Sequence, residues 1–118
     1  MVQIIYKYND HAEAKALTQV VEHKLEMLQK FIDDGATVLC EVEFEKVALQ
    51  KSGNVYRMEA NVTIDGALYR ADAVEDSFEK AIDEVRSELD KELRRAKGKQ
   101  TTLFRRASRK LKEKFLGN

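Results

Sequence analysis

Ten lysines and arginines crowd into residues 94–114: Arg94, Arg95, Lys97, Lys99, Arg105, Arg106, Arg109, Lys110, Lys112 and Lys114. Glu113 is the one acidic residue among them. Such a surface attracts phosphates, and each phosphate it neutralises releases condensed counterions. Arginine adds a planar fork that can grip phosphate and stack on a base. Cations also favour helix C-termini, but that effect accounts for about two or three charges, not for a run of this length. A polyanion, and above all a nucleic acid, is therefore the expected partner. An acidic protein or an anionic membrane surface is the competing reading.

The rest of the chain sharpens the contrast. The formal net charge is zero, yet residues 1–85 carry 9 Lys/Arg against 17 Asp/Glu, and residues 86–118 carry 12 against 4. Charges act over about a Debye length, some 8–10 Å at ordinary salt, so the two parts do not cancel in space. Lys24, Lys30, Arg57 and Arg70 are the secondary cationic candidates ahead of the basic segment.

Other residue types that could do chemistry do not converge. His11 and His23 stand apart, without a metal-ligand spacing. Cys40 is the single cysteine, unable to form an internal disulfide, and its place on an apolar strand face reads as a small buried hydrophobe. Gly98-Lys99 lacks the upstream glycine of a phosphate-binding loop. Glu41, Glu43 and Glu45 alternate as a solvated strand face. No set of acid, base and nucleophile emerges, so neither catalysis nor a metal or cofactor is expected. The first residues lack a basic stretch leading into an apolar run, and no apolar stretch approaches the roughly 18 residues of a membrane span. The cytoplasm is the expected location. Asn61-Val62-Thr63 matches a glycosylation acceptor but carries no weight without a secretion signal.

The elements that must position the cations follow from periodicity. The chain has 118 residues, 43% hydrophobic and without proline, which suits one compact domain. Val2, Ile4, Tyr6 and Tyr8 alternate as a strand. Asp10 and Glu13 have capping-box spacing, and Leu17, Val21, Leu25, Leu28 and Ile32 form the stripe of a helix over 11–32, ended by Asp33-Asp34-Gly35. Residues 37–46 and 55–64 alternate as strands, and Asp65-Gly66 signals a tight hairpin into a return strand over 67–74. Asp76 and Glu79 repeat the capping-box spacing. Phe78, Ile82, Val85, Leu89 and Leu93 then mark a second helix, expected to stop at Gly98. Residues 98–102 read as a short linker and 103–116 as a further helix with Phe104, Ala107, Leu111 and Phe115 on one side. Those phenylalanines dock the segment on its own domain or stack on bases or touch lipid. The order is a two-layer α+β domain with a basic C-terminal extension.

The run Arg70-Ala71-Asp72-Ala73-Val74-Glu75-Asp76-Ser77-Phe78-Glu79-Lys80-Ala81-Ile82-Asp83, followed by Leu89 and Leu93-Arg94-Arg95-Ala96-Lys97, resembles ribosome hibernation promoting factors, also called ribosome-associated inhibitors or sigma-54 modulation proteins. Tyr56-Arg57-Met58-Glu59-Ala60 and Lys24-Leu25 with Leu28 fit the same pattern. Two positions depart from it: Ser87-Glu88 stand where an Asp-Lys pair is usual, and Glu92 replaces a glutamine.

The resemblance covers residues 1–99. It implies a β-α-β-β-β-α fold similar to double-stranded-RNA-binding domains. It implies binding to the small ribosomal subunit and its rRNA between head and body, in the decoding channel. There the protein would compete sterically with mRNA and tRNA and silence translation under stress. Neither DNA nor a membrane is then a partner. Lys91, Arg94, Arg95, Lys97 and Lys99 are the expected phosphate contacts, extended by Arg105, Arg106, Arg109 and Lys110. Residues 100–118 have no counterpart in the shortest members and are too few for the dimerisation domain of the long ones. A general RNA-binding module acting off the ribosome, and an adaptor gripping an acidic protein, are the alternatives.

Overall fold

Alternation of inward apolar and outward mostly polar residues builds the sheet, Ile5, Leu68 and Val74 being apolar exceptions on the outward face. The computed structural model describes residues 2–8, 16–49 and 53–116. Strand β1 (Val2–Tyr8) is followed by helix α1 (Thr18–Glu26) and a 3-10 turn (Gln29–Phe31). Three strands come next: β2 (Val38–Lys46), β3 (Tyr56–Ile64) and β4 (Ala67–Glu75). Helix α2 (Phe78–Leu116) follows β4. The order is β-α-β-β-β-α, as expected for the α+β class.

The four strands lie side by side in chain order. β1 runs parallel to β2, with Ile4 opposite Cys40, so the connection must cross over the sheet, and α1 is that crossover. β2, β3 and β4 are antiparallel, placing Glu43 opposite Glu59 and Glu59 opposite Asp72. The β3–β4 hairpin turns through Asp65 and Gly66 with φ of 48° and 88°. Two successive positive φ values define the turn whose twist matches a tight hairpin. Asp65 is tied back twice: its amide donates to the Thr37 carbonyl at 3.0 Å, and its Oδ1 accepts the Thr37 amide at 2.9 Å.

One face of the sheet meets both helices. Cys40, Val42, Phe44, Met58, Ala60 and Ala71 are buried there against Val21 of α1 and Phe78, Ile82, Val85, Leu89 and Leu93 of α2. Phe78 packs edge-on against Phe44 at 5.2 Å and Tyr56 at 4.9 Å, a geometry the ring quadrupoles favour. β4 contributes the small Ala71 and Ala73, which let α2 lie close. Tyr6 ties β1 to α1, its hydroxyl lying 3.3 Å from both the Thr18 carbonyl and Glu22 Oε1, which share its single proton as acceptors. Cys40 is buried, and desolvation, with the Glu41 charge adding, pushes its thiol up to about 12.

Three sequence expectations need correction. The helix expected over 11–32 is α1 plus a separate 3-10 turn; its proposed Asp10/Glu13 cap lies outside the described residues. The cap of α2 is Ser77, whose Oγ accepts the Lys80 amide at 3.2 Å, while Asp76 instead pairs with the Lys80 ammonium at 2.9 Å. Most consequentially, α2 does not stop at Gly98: the linker over 98–102 and the separate helix over 103–116 are one uninterrupted helix with the preceding residues.

A single internal glycine costs only about 1 kcal/mol relative to alanine. Here it is flanked by Ala96, Lys97, Lys99 and Gln100, all good helix formers, and no proline intervenes. Phase also carries through. Leu93, Ala96, Gln100, Phe104, Ala107, Leu111 and Phe115 recur at three and four residues across the glycine. At a rise of about 1.5 Å per residue, the helix runs on for roughly 34 Å past Leu93. The molecule measures 71 × 26 × 19 Å accordingly.

Candidate nucleic-acid interface

The core stripe of α2 dictates where its cations point. Leu89 and Leu93 face the sheet, so Lys91, Arg94 and Arg95 on the same turns face outward. The Arg94 and Arg95 side chains are each 66% exposed. Arg94 pairs with Asp90 at 3.1 Å and Arg95 with Glu92 at 3.7 Å. Exposed pairs of this kind contribute little, so an arriving phosphate can displace the carboxylates.

The 3-10 turn brings a second group of cations against this end of α2. Lys97 Nζ donates to the Lys30 carbonyl at 3.1 Å. The Lys30 ammonium lies 5.1 Å from the Phe31 ring centroid, and the Arg94 guanidinium 5.4 Å from it. Both are within reach of the ring's negative face. Lys30 and Arg94, distant in sequence, therefore share one aromatic ring, and Lys97 is tied to the same turn. Lys24 sits earlier on the same seam, paired with Asp83 of α2 at 2.9 Å. The side chains of Lys99, Arg105, Arg106, Arg109 and Lys110 lie outside the described ones; their backbone continues α2.

Arg57 and Arg70 are elsewhere. They lie on the face of the sheet turned away from the helices, where they form a network with carboxylates. Arg57 donates to Glu59 and lies 3.5 Å from both Glu45 and Asp72. Arg70 pairs with the same Glu59 at 2.8 Å, and Asn61 donates to it at 3.1 Å. Glu59 is buried, 8% exposed. The Arg57 hydrogen bond holds its carboxyl below the usual range, with Asn61 and Arg70 adding and burial opposing. The structure thus joins Lys24, Lys30, Lys91, Arg94, Arg95 and Lys97 on the helical side and separates Arg57 and Arg70 from them.

Sequence reasoning missed Phe31 and Glu59. Phe31 adjoins Lys30 at the end of the α1 stripe, and that juxtaposition was its only local signal. Glu59 alternates like any outward strand residue; its burial depends on the cross-strand register.

Among the described residues no group of three or more His, Cys, Asp or Glu could hold a metal ion, and no helix is long and apolar enough to cross a membrane.

The fold and this cationic helical layer define an α+β domain with one covered and one open sheet face. The chain belongs to the sigma 54 modulation protein / S30EA ribosomal protein family, whose model matches residues 4–101. The family is one of ribosome-associated hibernation factors. The N-terminal domain of Protein Y from Thermus thermophilus shares the fold, with 22% identity and a TM-score of 0.58 over 80% of this chain and 93% of that one. A ribosomal subunit interface protein from Coxiella burnetii does too, with 21% identity and a TM-score of 0.60 over 83% and 99%. No curated protein sequence matches the chain.

Proposed function

We propose that this protein binds the small ribosomal subunit through its rRNA, occupies the decoding channel between head and body, and sterically blocks mRNA and tRNA, silencing ribosomes under stress. The observation that carries the reading is the convergence of Lys30, Arg94 and Lys97 about Phe31, continued outward by Lys91 and Arg95, in a member of a ribosome-associated family. Steric occupation asks only for shape and charge, so no catalytic residue is assigned. Residues 1–99 form the ribosome-binding unit. The remainder, 100–118, extends the strip that Lys99 begins, its residues up to 116 lying on the continuous α2, with Arg105, Arg106, Arg109 and Lys110 adding phosphate contacts.

Cosedimentation with purified small subunits tests this. Engagement of about six phosphates gives a slope of log K against log salt of roughly −4 to −5. Reversal of Arg94, Arg95, Arg105 and Arg106 to Glu lowers affinity by on the order of 100-fold or more at low salt. Unchanged pelleting of that variant overturns the proposal. Equal affinity for free duplex RNA would instead favour a general RNA-binding module.

A further inference from the structure

Where α2 leaves the sheet it roofs a hollow of about 180 Å³. Its walls include Phe31, Ile64, Tyr69 and Ala96, and the exposed Asp33 and Asp65 also line it. Lys97 borders the same space, and Lys30 and Arg94 stand over the Phe31 ring. Three chemistries therefore meet within one small volume: flat apolar and aromatic surface, carboxylate oxygens that only accept hydrogen bonds, and cations.

An unpaired nucleotide presents the complement of each. Its base offers a π-face to an aromatic wall, and stacking of this kind is a main source of affinity for single-stranded nucleic acid. An exocyclic amine donates to carboxylates, whereas carbonyl edges do not. Its phosphates pair with Lys and Arg. Asp65 keeps its place independently of any ligand, because its Oδ1 and amide are both bonded to Thr37. A paired duplex offers none of these base surfaces freely, since RNA sequence is read mainly at unstacked bases.

We propose that this hollow is a slot for one unpaired RNA base carrying an exocyclic amine, with Phe31 and Tyr69 beside the ring, Asp33 and Asp65 accepting the amine, and Lys30, Arg94 and Lys97 holding the flanking phosphates. The proposal rests on RNA being the ligand and adds base selection to a surface otherwise read as following the backbone.

The test uses the full chain and a labelled hexauridylate in which one central residue is replaced by guanosine, cytidine, adenosine or an abasic ribose, with affinity read by fluorescence anisotropy at low salt. The amine-bearing bases bind about 5- to 100-fold tighter than the abasic probe. Phe31→Leu erases that margin, whereas Phe31→Tyr, which keeps a ring, retains it. Asp33→Asn with Asp65→Asn, both on exposed side chains, removes the preference over uridine and spares the margin over the abasic probe. A flat series, a margin that survives Phe31→Leu, or no binding of any hexamer overturns the slot. Pelleting with small subunits is read in parallel: intact pelleting beside a flat series sinks the slot alone, and failure of the unaltered protein to pellet sinks the ribosome reading.

Discussion

The two faces of this small sheet treat their arginines in opposite ways. On the helical side, Arg94 and Arg95 are two-thirds exposed and take their carboxylate partners from their own helix, Arg94 also standing over the Phe31 ring. On the open side, Arg57 is 18% exposed and shares the buried Glu59 with Arg70. The same residue type is thus presented to solvent in one place, where the proposed reading makes it a binding group, and held as a structural counter-ion in the other. The difference arises from what lies across from it. A strand has neighbours on both sides at fixed register: Glu45 lies opposite Arg57 on β2, Asp72 lies diagonally across on β4, and Glu59 follows two residues along the same face of β3. The outer surface of a helix offers carboxylates mainly along itself, here Asp90 and Glu92.

The largest expected effect removes the support beneath the binding side. Leu89 is fully buried under α2. Leu89→Ala costs about 3–4 kcal/mol in denaturant unfolding, as large-to-small core changes do. RNA affinity falls only through the unfolded fraction, because no cation is altered. Affinity lost in excess of that fraction would show the layer to be positioned more loosely than described.

Next comes the open face. Glu59→Ala leaves Arg57 without its main partner and destabilises by about 3 kcal/mol. Pelleting with small subunits, once corrected for folded fraction, stays unchanged; a specific loss would erase the contrast between the faces. Because Arg57 depresses the Glu59 carboxyl in the folded state, the stability it contributes is present above its ordinary value of about 4.5 and is lost as pH falls through the folded value. Glu59→Gln should therefore flatten the acid limb of a stability-against-pH curve. An unaltered limb would mean that the network contributes nothing net.

The smallest effect concerns Gly98. A Cβ added there meets nothing within 4 Å. Gly98→Ala should raise helicity and stabilise by up to about 1 kcal/mol, read by circular dichroism and melting temperature. A loss of helicity would argue for a hinge at that point.

Much of this was legible beforehand. The alternation of Val38, Cys40, Val42 and Phe44 and the Asp65-Gly66 turn specified strands and hairpin, because period and turn chemistry are local. The Phe78–Leu93 stripe likewise located the helix that carries the cations. What was not legible depends on distant residues or on competing local costs. Phe31 matters because the 3-10 turn lands beside Arg94, and Glu59 because β3 lies between β2 and β4. Gly98 reads as a stop signal taken alone; the uninterrupted three-and-four spacing on either side outweighs it.

Helix α2 supplies six of the buried side chains that cover the sheet, from Phe78 to Leu93, and also most of the cations. It follows all four strands in the order of synthesis. Until Leu93 has been added, β2, β3 and β4 have no complete cover, and the same missing residues are those that would hold RNA. A chain cut short before that point lacks the cover of its sheet together with the cations that the proposed reading sets against RNA, so on that reading prematurely ended copies do not compete with whole ones for the same target.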